Sequence, residues 1–288
     1  MQNKLKANQL QFFPLENHDS AESFLLTTFQ CSKNKLKKYF DKKFLSRKLV
    51  AHRPINLDLN FINDGLISPV YIGPKIEIIE DNESFIVLNK PENIFVHPLT
   101  YFESDNCLSF LRSINHPSLV NEQNYDRGLL YRLDYETSGV LVLTKDESIY
   151  QSVRQNFDQL VKQKIYILVV EGELKHRGLI ETYIQASMQA GSTMKIVNQH
   201  TEMALRAQLE ILESVYDAEK NLSKVKVKLL TGHRHQIRIQ MKGLGHPILG
   251  DKLYGGREAS RMYLHAFEYQ LSIQNKSYLW KANPNNWL

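Results

Sequence analysis

Cysteine is scarce: the 288-residue chain holds two, Cys31 and Cys107. Two thiols cannot complete a four-ligand zinc site without histidines, nor build a disulfide framework, so a reducing, cytoplasmic setting is expected. No run approaches the eighteen or so apolar residues of a membrane helix, which argues against a membrane partner. The opening MQNKLKANQLQFF lacks the apolar core and cleavage site of a secretory signal. A P-loop and a dinucleotide glycine fingerprint are both missing, as are low-complexity tracts and fixed-period repeats. What is present is an ordinary globular composition, apolar enough for a sizeable core and long enough for about two domains.

Acidic residues are almost missing from one stretch. The net charge is +5, yet residues 31–54 carry nine Lys and Arg against a single acid, Asp41. That segment is therefore +8 and the rest of the chain −3. SAESFLLTTF reads as a helix opened by Ser20, and SKNKLKKYFDKKF (Ser32–Phe44) as a second one burying Leu36, Tyr39, Phe40 and Phe44. Lysines on a helix usually form a solvated face. Eight net charges in 24 residues exceed what solubility needs and point to nucleic acid, with Lys35, Lys37, Lys38, Lys42 and Lys43 as backbone contacts. A Pro-, Asn-, Asp- and Gly-rich break over residues 54–75 divides a small domain (1–75) from a large one (76–288).

The large domain reads mainly as strands. IEIIEDNESFIVLNKP gives two around an Asp-Asn turn, and DRGLLYRLDYETSGVLVLTKD a strand, an irregular turn and a strand. KIYILVVEG and MYLHAFEYQLSI add one each. In LSKVKVKLLTG, Val225, Val227 and Leu229 alternate with Lys224, Lys226 and Lys228. ESIYQSVRQNF and HQIRIQMKGLG read as helices. Many strands with few helices predict an α+β domain with a mostly antiparallel sheet. The basic face of Lys224, Lys226 and Lys228, continued by Arg234, reads equally as an exposed sheet face or as RNA-backbone contact.

The densest group of reactive side chains is Arg132-Leu133-Asp134-Tyr135-Glu136-Thr137-Ser138-Gly139. On an extended backbone Arg132 and Asp134 share a face, and an arginine beside a carboxylate keeps it ionised. Taken alone, the run is equally an ordinary ion pair followed by a tight turn.

With its neighbours, YRLDYETSG (Tyr131–Gly139) resembles the HRLDxxTSG motif of the RluA-type family of pseudouridine synthases. VLNKPENIFVHP (Val87–Pro98) resembles that family's NKPxGxxVHP, KIYILVVEG its K-x-Y strand, and LLTGHRHQIRIQMKGLGHPILGDKLYGG (Leu229–Gly256) its TGRxHQIRxH…GHPIxGDxxYG stretch. The four motifs occur in family order across residues 76–270. The resemblance implies the pseudouridine synthase fold and isomerisation of uridine in structured rRNA or tRNA, with no cofactor and no metal. It implies Asp134 as the catalytic carboxylate and Arg132 as the residue that helps displace the base. Tyr166 would be the aromatic platform, Ile237 would line the base pocket, and Arg238 would pair with the aspartate. A monomer is the family default. Metal binding by His233 and His235 is disfavoured, since no third ligand is near. More distantly, the N-terminal segment resembles the alpha-L RNA-binding motif, with Ser32–Phe44 as its basic helix.

Four positions depart from the family pattern: Tyr131 for histidine, Asn93 for glycine, His233 for arginine and Gln240 for histidine. They motivate an alternative, a catalytically silent RNA-binding or ribosome-assembly protein on the same fold. A glycosidase using Asp134 with Glu136 is disfavoured, because such enzymes need two carboxylates at set separations.

Overall fold

The computed structural model describes residues 8–116, 120, 126–187, 193–284 and 287. The chain forms two compact units. One takes residues 1–75, 95–129 and 143–150, and the other takes 76–94, 130–142 and 151–288. A single division at residue 75 therefore does not describe the chain, which re-enters the first unit twice. The later passages are tied in by buried arginines: Arg112 donates to the Thr28 carbonyl at 2.8 Å, and Arg127 to that of Gly65.

In the first unit, β1 (Gln9–Phe12) pairs antiparallel with β2 (Ile55–Asp58). Helix α1 (Ala21–Phe29) starts where the Ser20 hydroxyl accepts from the Ser23 N–H, and α2 (Lys33–Tyr39) where Ser32 accepts from Lys35. The second helix does not run on to Phe44. Phe40 is extended, and Asp41 accepts from the Phe44 N–H at 2.7 Å to open a separate turn, α3 (Lys42–Leu45). The break lets Phe40 stack on Phe44, with centroids 4.7 Å apart, while meeting Phe61 edge-on. Phe29, Leu36, Ile55, Leu57, Phe61 and Ile62 form the core. α4 (Leu59–Ile62) and α5 (Cys107–Ser113), capped by Asp58 and Asn106, also belong to this unit.

The second unit is built on one large sheet. Its strands are β3 (Glu77–Asp81), β4 (Phe85–Lys90), β5 (Ser138–Thr144), β6 (Val161–Glu171), β7 (Gly178–Ala186), β8 (Met194–Val197), β9 (Leu205–Asp217), β10 (Leu222–Leu229), β11 (Leu264–Ile273) and β12 (Lys276–Lys281). They lie in the order β3-β4-β5-β11-β6-β10-β9-β7-β8, with β12 on β11. β5 and β11 run parallel, and β6 is flanked antiparallel by β10 and β11. The sheet is mixed and mostly antiparallel, as the strand pattern predicts. Val225, Val227 and Leu229 are buried while Lys224 is exposed. α6 (Glu147–Gln155), α7 (Phe157–Leu160) and α8 (Gln236–Gly243) are the helices along this part of the chain.

One expected strand is missing. Leu129 bridges Leu143 and the Leu130 N–H donates to Val142 at 3.1 Å, but residues 131–137 are loop and turn. Period-two alternation therefore does not set the directions of Arg132 and Asp134. Within this segment the Tyr135 carbonyl accepts from the Lys90 ammonium and the Ile94 N–H in place of a ladder partner.

Candidate active site

Lys90, fully buried at the end of β4, donates to the carbonyls of Pro91, Ile94 and Tyr135 at 3.0, 2.8 and 3.0 Å. A buried ammonium needs such partners, and here they fix the backbone next to Asp134. The turn closes when the Thr137 N–H donates to the Asp134 carbonyl at 3.1 Å. Beyond it, Gly139 has φ +113°, and a Cβ there would lie 2.2 Å from the Ala266 carbonyl oxygen. Only glycine allows β5 to approach β11 this closely. Ser138 anchors the same end: Arg261 donates to its hydroxyl at 2.6 Å, and the hydroxyl donates to His265 Nδ1 at 2.8 Å. His265 Nε2 lies 2.8 Å from the Ala282 carbonyl, which can only accept, so Nε2 carries the proton. Burial pushes this imidazole down to about 4, consistent with that neutral tautomer.

Arg238 arrives from α8. The loop before the helix is locked by Gln236, which accepts from the Thr231 hydroxyl at 2.8 Å and donates to the Gln208 carbonyl at 3.0 Å. The Arg238 guanidinium meets three carboxylates. Nε and Nη2 donate to Asp251 at 2.8 Å each, and Nη1 and Nη2 to Glu136 at 3.1 and 3.4 Å. Asp134 Oδ2 stands off at 3.5 Å from Nη1. Burial works against the Arg238 charge, but Asp251, Glu136 and Asp134 more than offset it and hold the guanidinium protonated above its ordinary range. The Asp134 side chain is 23% exposed and that of Asp251 fully buried. One carboxylate is thus open to a ligand and the other is internal.

Two further groups face Asp134. His235, at φ 53° ahead of α8, places Nε2 4.0 Å from Asp134 Oδ1 and Nδ1 3.0 Å from the Tyr254 hydroxyl. Burial lowers the His235 imidazole below its ordinary value; Arg238 and Arg234 add to this, while Asp134 and Glu136 oppose it. Tyr166 lies in β6 opposite Val227 and Ala266 and is buried. Burial and the Asp134 charge both raise its phenol, so it stays protonated. Ile237 is buried on α8. Asp134, Tyr166, Ile237 and Arg238 thus belong to one unit, with Tyr166 and Arg238 both within electrostatic reach of Asp134.

Sequence reasoning did not assign Asp251, Glu136, Tyr254 or Lys90 to the candidate site. All four sit inside the quoted motifs. A buried arginine needs a buried counter-charge, and that signal points to Asp251 as readily as to Asp134.

Two departures from the family pattern have local causes. Tyr131 stacks on Tyr269 at 4.5 Å and donates to the Val140 carbonyl at 2.6 Å. Asn93 has φ 56°, the left-handed region that asparagine tolerates best after glycine. Asn93→Gly is therefore expected to leave thermal unfolding nearly unchanged, whereas Asn93→Val costs about 1–2 kcal/mol. Equal melting of the two variants would show that the conformation is not what selects Asn93. Gln240 donates to the Ala207 carbonyl at 3.1 Å, and His233 Nε2 lies 2.9 Å from that of Arg206.

The remaining candidates are surface groups with one exception. Arg132, Arg234, Lys37, Lys38, Lys42 and Lys43 are exposed. Lys35 is not: its side chain is 4% exposed and its ammonium lies 3.5 Å from Asp64. It caps the unit's interior and is no candidate for RNA contact. Lys38 also pairs with Asp64, at 3.1 Å, but stays solvated.

The fold and this cluster define a class: a mixed-sheet α+β domain whose partly exposed aspartate is held beside a buried arginine. Residues 84–242 match the family model of RNA pseudouridylate synthase. Ribosomal large subunit pseudouridine synthase D of Borreliella burgdorferi is 31% identical over 212 residues, which covers 70% of this chain and 63% of that protein. An uncharacterized RNA pseudouridine synthase of Helicobacter pylori is 26% identical over 276 residues, 90% of this chain and 84% of that one. The solved structure of human RNA pseudouridylate synthase domain containing 1 superposes with a TM-score of 0.60 at 26% identity, over 74% of this chain and 86% of that chain. The chain belongs to the RluA-type family of RNA pseudouridine synthases.

Proposed function

We propose that this protein isomerises uridine in structured rRNA or tRNA to pseudouridine, with Asp134 acting on the sugar of a flipped-out nucleotide. The observation that carries this is the state of Asp134. It is a partly open carboxylate beside a permanently charged guanidinium, on the same unit as a protonated, buried tyrosine. The reaction breaks the bond from uracil N1 to the sugar, turns the base and joins C5 to the sugar; C5 gives up its proton and N1 takes one up, so the product is an isomer. An ionised carboxylate serves either as nucleophile at the sugar or as base toward a sugar proton. Arg238 holds that charge in place, and the Tyr166 ring offers a face for the base. Arg132, exposed two residues before Asp134, would enter the space the base vacates.

RNA carrying tritium at uracil C5 tests this reading. Release from rRNA or tRNA pools by the wild-type protein supports it, and no release from either pool sinks it. The reading of the protein as a silent RNA-binding factor then becomes the surviving one.

RNA-backbone contact falls to the first unit's exposed Lys37, Lys38, Lys42 and Lys43, without Lys35. Changing these four to glutamine is expected to lower the slope of log K against log salt by up to about 0.7–0.9 for each phosphate no longer neutralised. Lys35→Met should leave the slope alone. An unaltered slope in the fourfold variant removes these lysines from the interface.

A further inference from the structure

The Arg238 guanidinium has five N–H groups. Two are taken by Asp251 on one edge and two by Glu136 on the other, which leaves a single Nη1–H on the side of Asp134. An arginine free on that edge would clamp an adjacent carboxylate bidentately. Asp134 is not clamped: it stands at 3.5 Å, while Glu136 occupies the same nitrogen at 3.1 Å. The carboxylate expected to react is therefore the one with the poorest hold on the cation.

We infer that Glu136 is a positioning residue that occupies the Arg238 edge so that Asp134 stays beside the positive charge without committing its lone pairs to it. This rests on the synthase reading of Asp134. The chemistry follows from what a charge-assisted hydrogen bond does to an oxygen. Lone pairs committed to two N–H groups are poorer nucleophiles and poorer bases than lone pairs held only by a nearby charge. The two partner carboxylates divide the work by burial. Asp251 is fully enclosed and also accepts from the Leu253 and Tyr254 N–H groups at 3.2 and 3.3 Å, so it fixes where the guanidinium lies. The Glu136 side chain is 35% exposed and accepts only from Arg238 among the hydrogen bonds of the described residues. It can be altered with little effect on the fold.

Glu136→Gln keeps the shape and removes the charge that competes with Asp134. At saturating RNA its single-turnover rate of tritium release is expected to fall about tenfold, with the RNA Kd within about twofold of wild type. Its Tm is expected within about 2 °C of wild type. A drop in rate alone is the mark of a positioning role. If rate and Tm fall and the RNA Kd rises together, Glu136 is a structural strut and the inference fails. If wild type turns over and Glu136→Gln matches it, the inference also fails, while the synthase reading stands. If wild type itself releases no tritium, the synthase reading is what has failed.

Discussion

Asp134→Asn is expected to abolish tritium release, by at least about a thousand-fold, while binding RNA as tightly as the parent. The substitution exchanges one carboxylate oxygen for an amide nitrogen of nearly the same size. It removes the anion without emptying the space. The surroundings predict that the fold tolerates it: Arg238 keeps both of its hydrogen-bonded partners, Asp251 and Glu136, when the third charge goes. The Asp134 backbone is held independently, through the Thr137 N–H and the Lys90 bond to Tyr135. A silent variant with an intact Tm would therefore report on chemistry rather than folding. Single-turnover release and filter binding on one RNA check both halves. Retention of wild-type release by Asp134→Asn would overturn the assignment.

Arg238→Met is expected to act in the opposite order, on stability first. It removes the cation but leaves Asp251 enclosed without the guanidinium that neutralises it, a loss on the order of 3–5 kcal/mol. Denaturant unfolding should show the midpoint fall without a change in slope. Adding Asp251→Asn should recover part of that loss. The amide oxygen can still accept from the Leu253 and Tyr254 N–H groups, and the stranded charge is gone. Activity should not return in the double variant. No recovery of stability would mean that the arginine matters through packing, not through neutralising Asp251.

How much of the molecule is legible in its sequence differs by physical cause. The strand pattern of β6, β10 and β11 is readable because alternation and unbroken apolar runs report burial directly. Ser20 and Ser32 mark their helices because a cap is a local bond to a residue three positions on. Asp41 carries the same signal, yet a lysine-rich run looks helical throughout, and the aromatic stack that favours the break at Phe40 depends on Phe61, distant in sequence. Lys35 is misplaced for a related reason. Its charge is visible in the sequence, but Asp64 is 29 residues away. The stretch through Arg132 and Asp134 reads as extended strand because the donor that holds its loop at Tyr135, Lys90, comes from another motif. In the candidate site, the family motifs lead to Asp134, Tyr166 and Arg238. They do not show how the guanidinium's five donors are shared, which only the positions of Glu136 and Asp251 reveal.

The threading of the chain through its two units has a practical consequence for anyone taking the protein apart. The first unit is not a cassette that can be cut off at a single junction. Residues 95–129 and 143–150 belong to it, and residues 130–142, which carry Asp134 and belong to the second unit, separate them in sequence. Removing residues 1–75 would discard Thr28 and Gly65, whose carbonyls accept from Arg112 and Arg127, and take those two buried hydrogen bonds away from the remaining chain. A truncated protein without activity would not reveal whether its grip on RNA or its native shape had gone. Charge-by-charge substitution on the lysine surface separates those two outcomes, and the same stitching makes the junctions at residues 94 and 129 poor places to splice in a foreign domain.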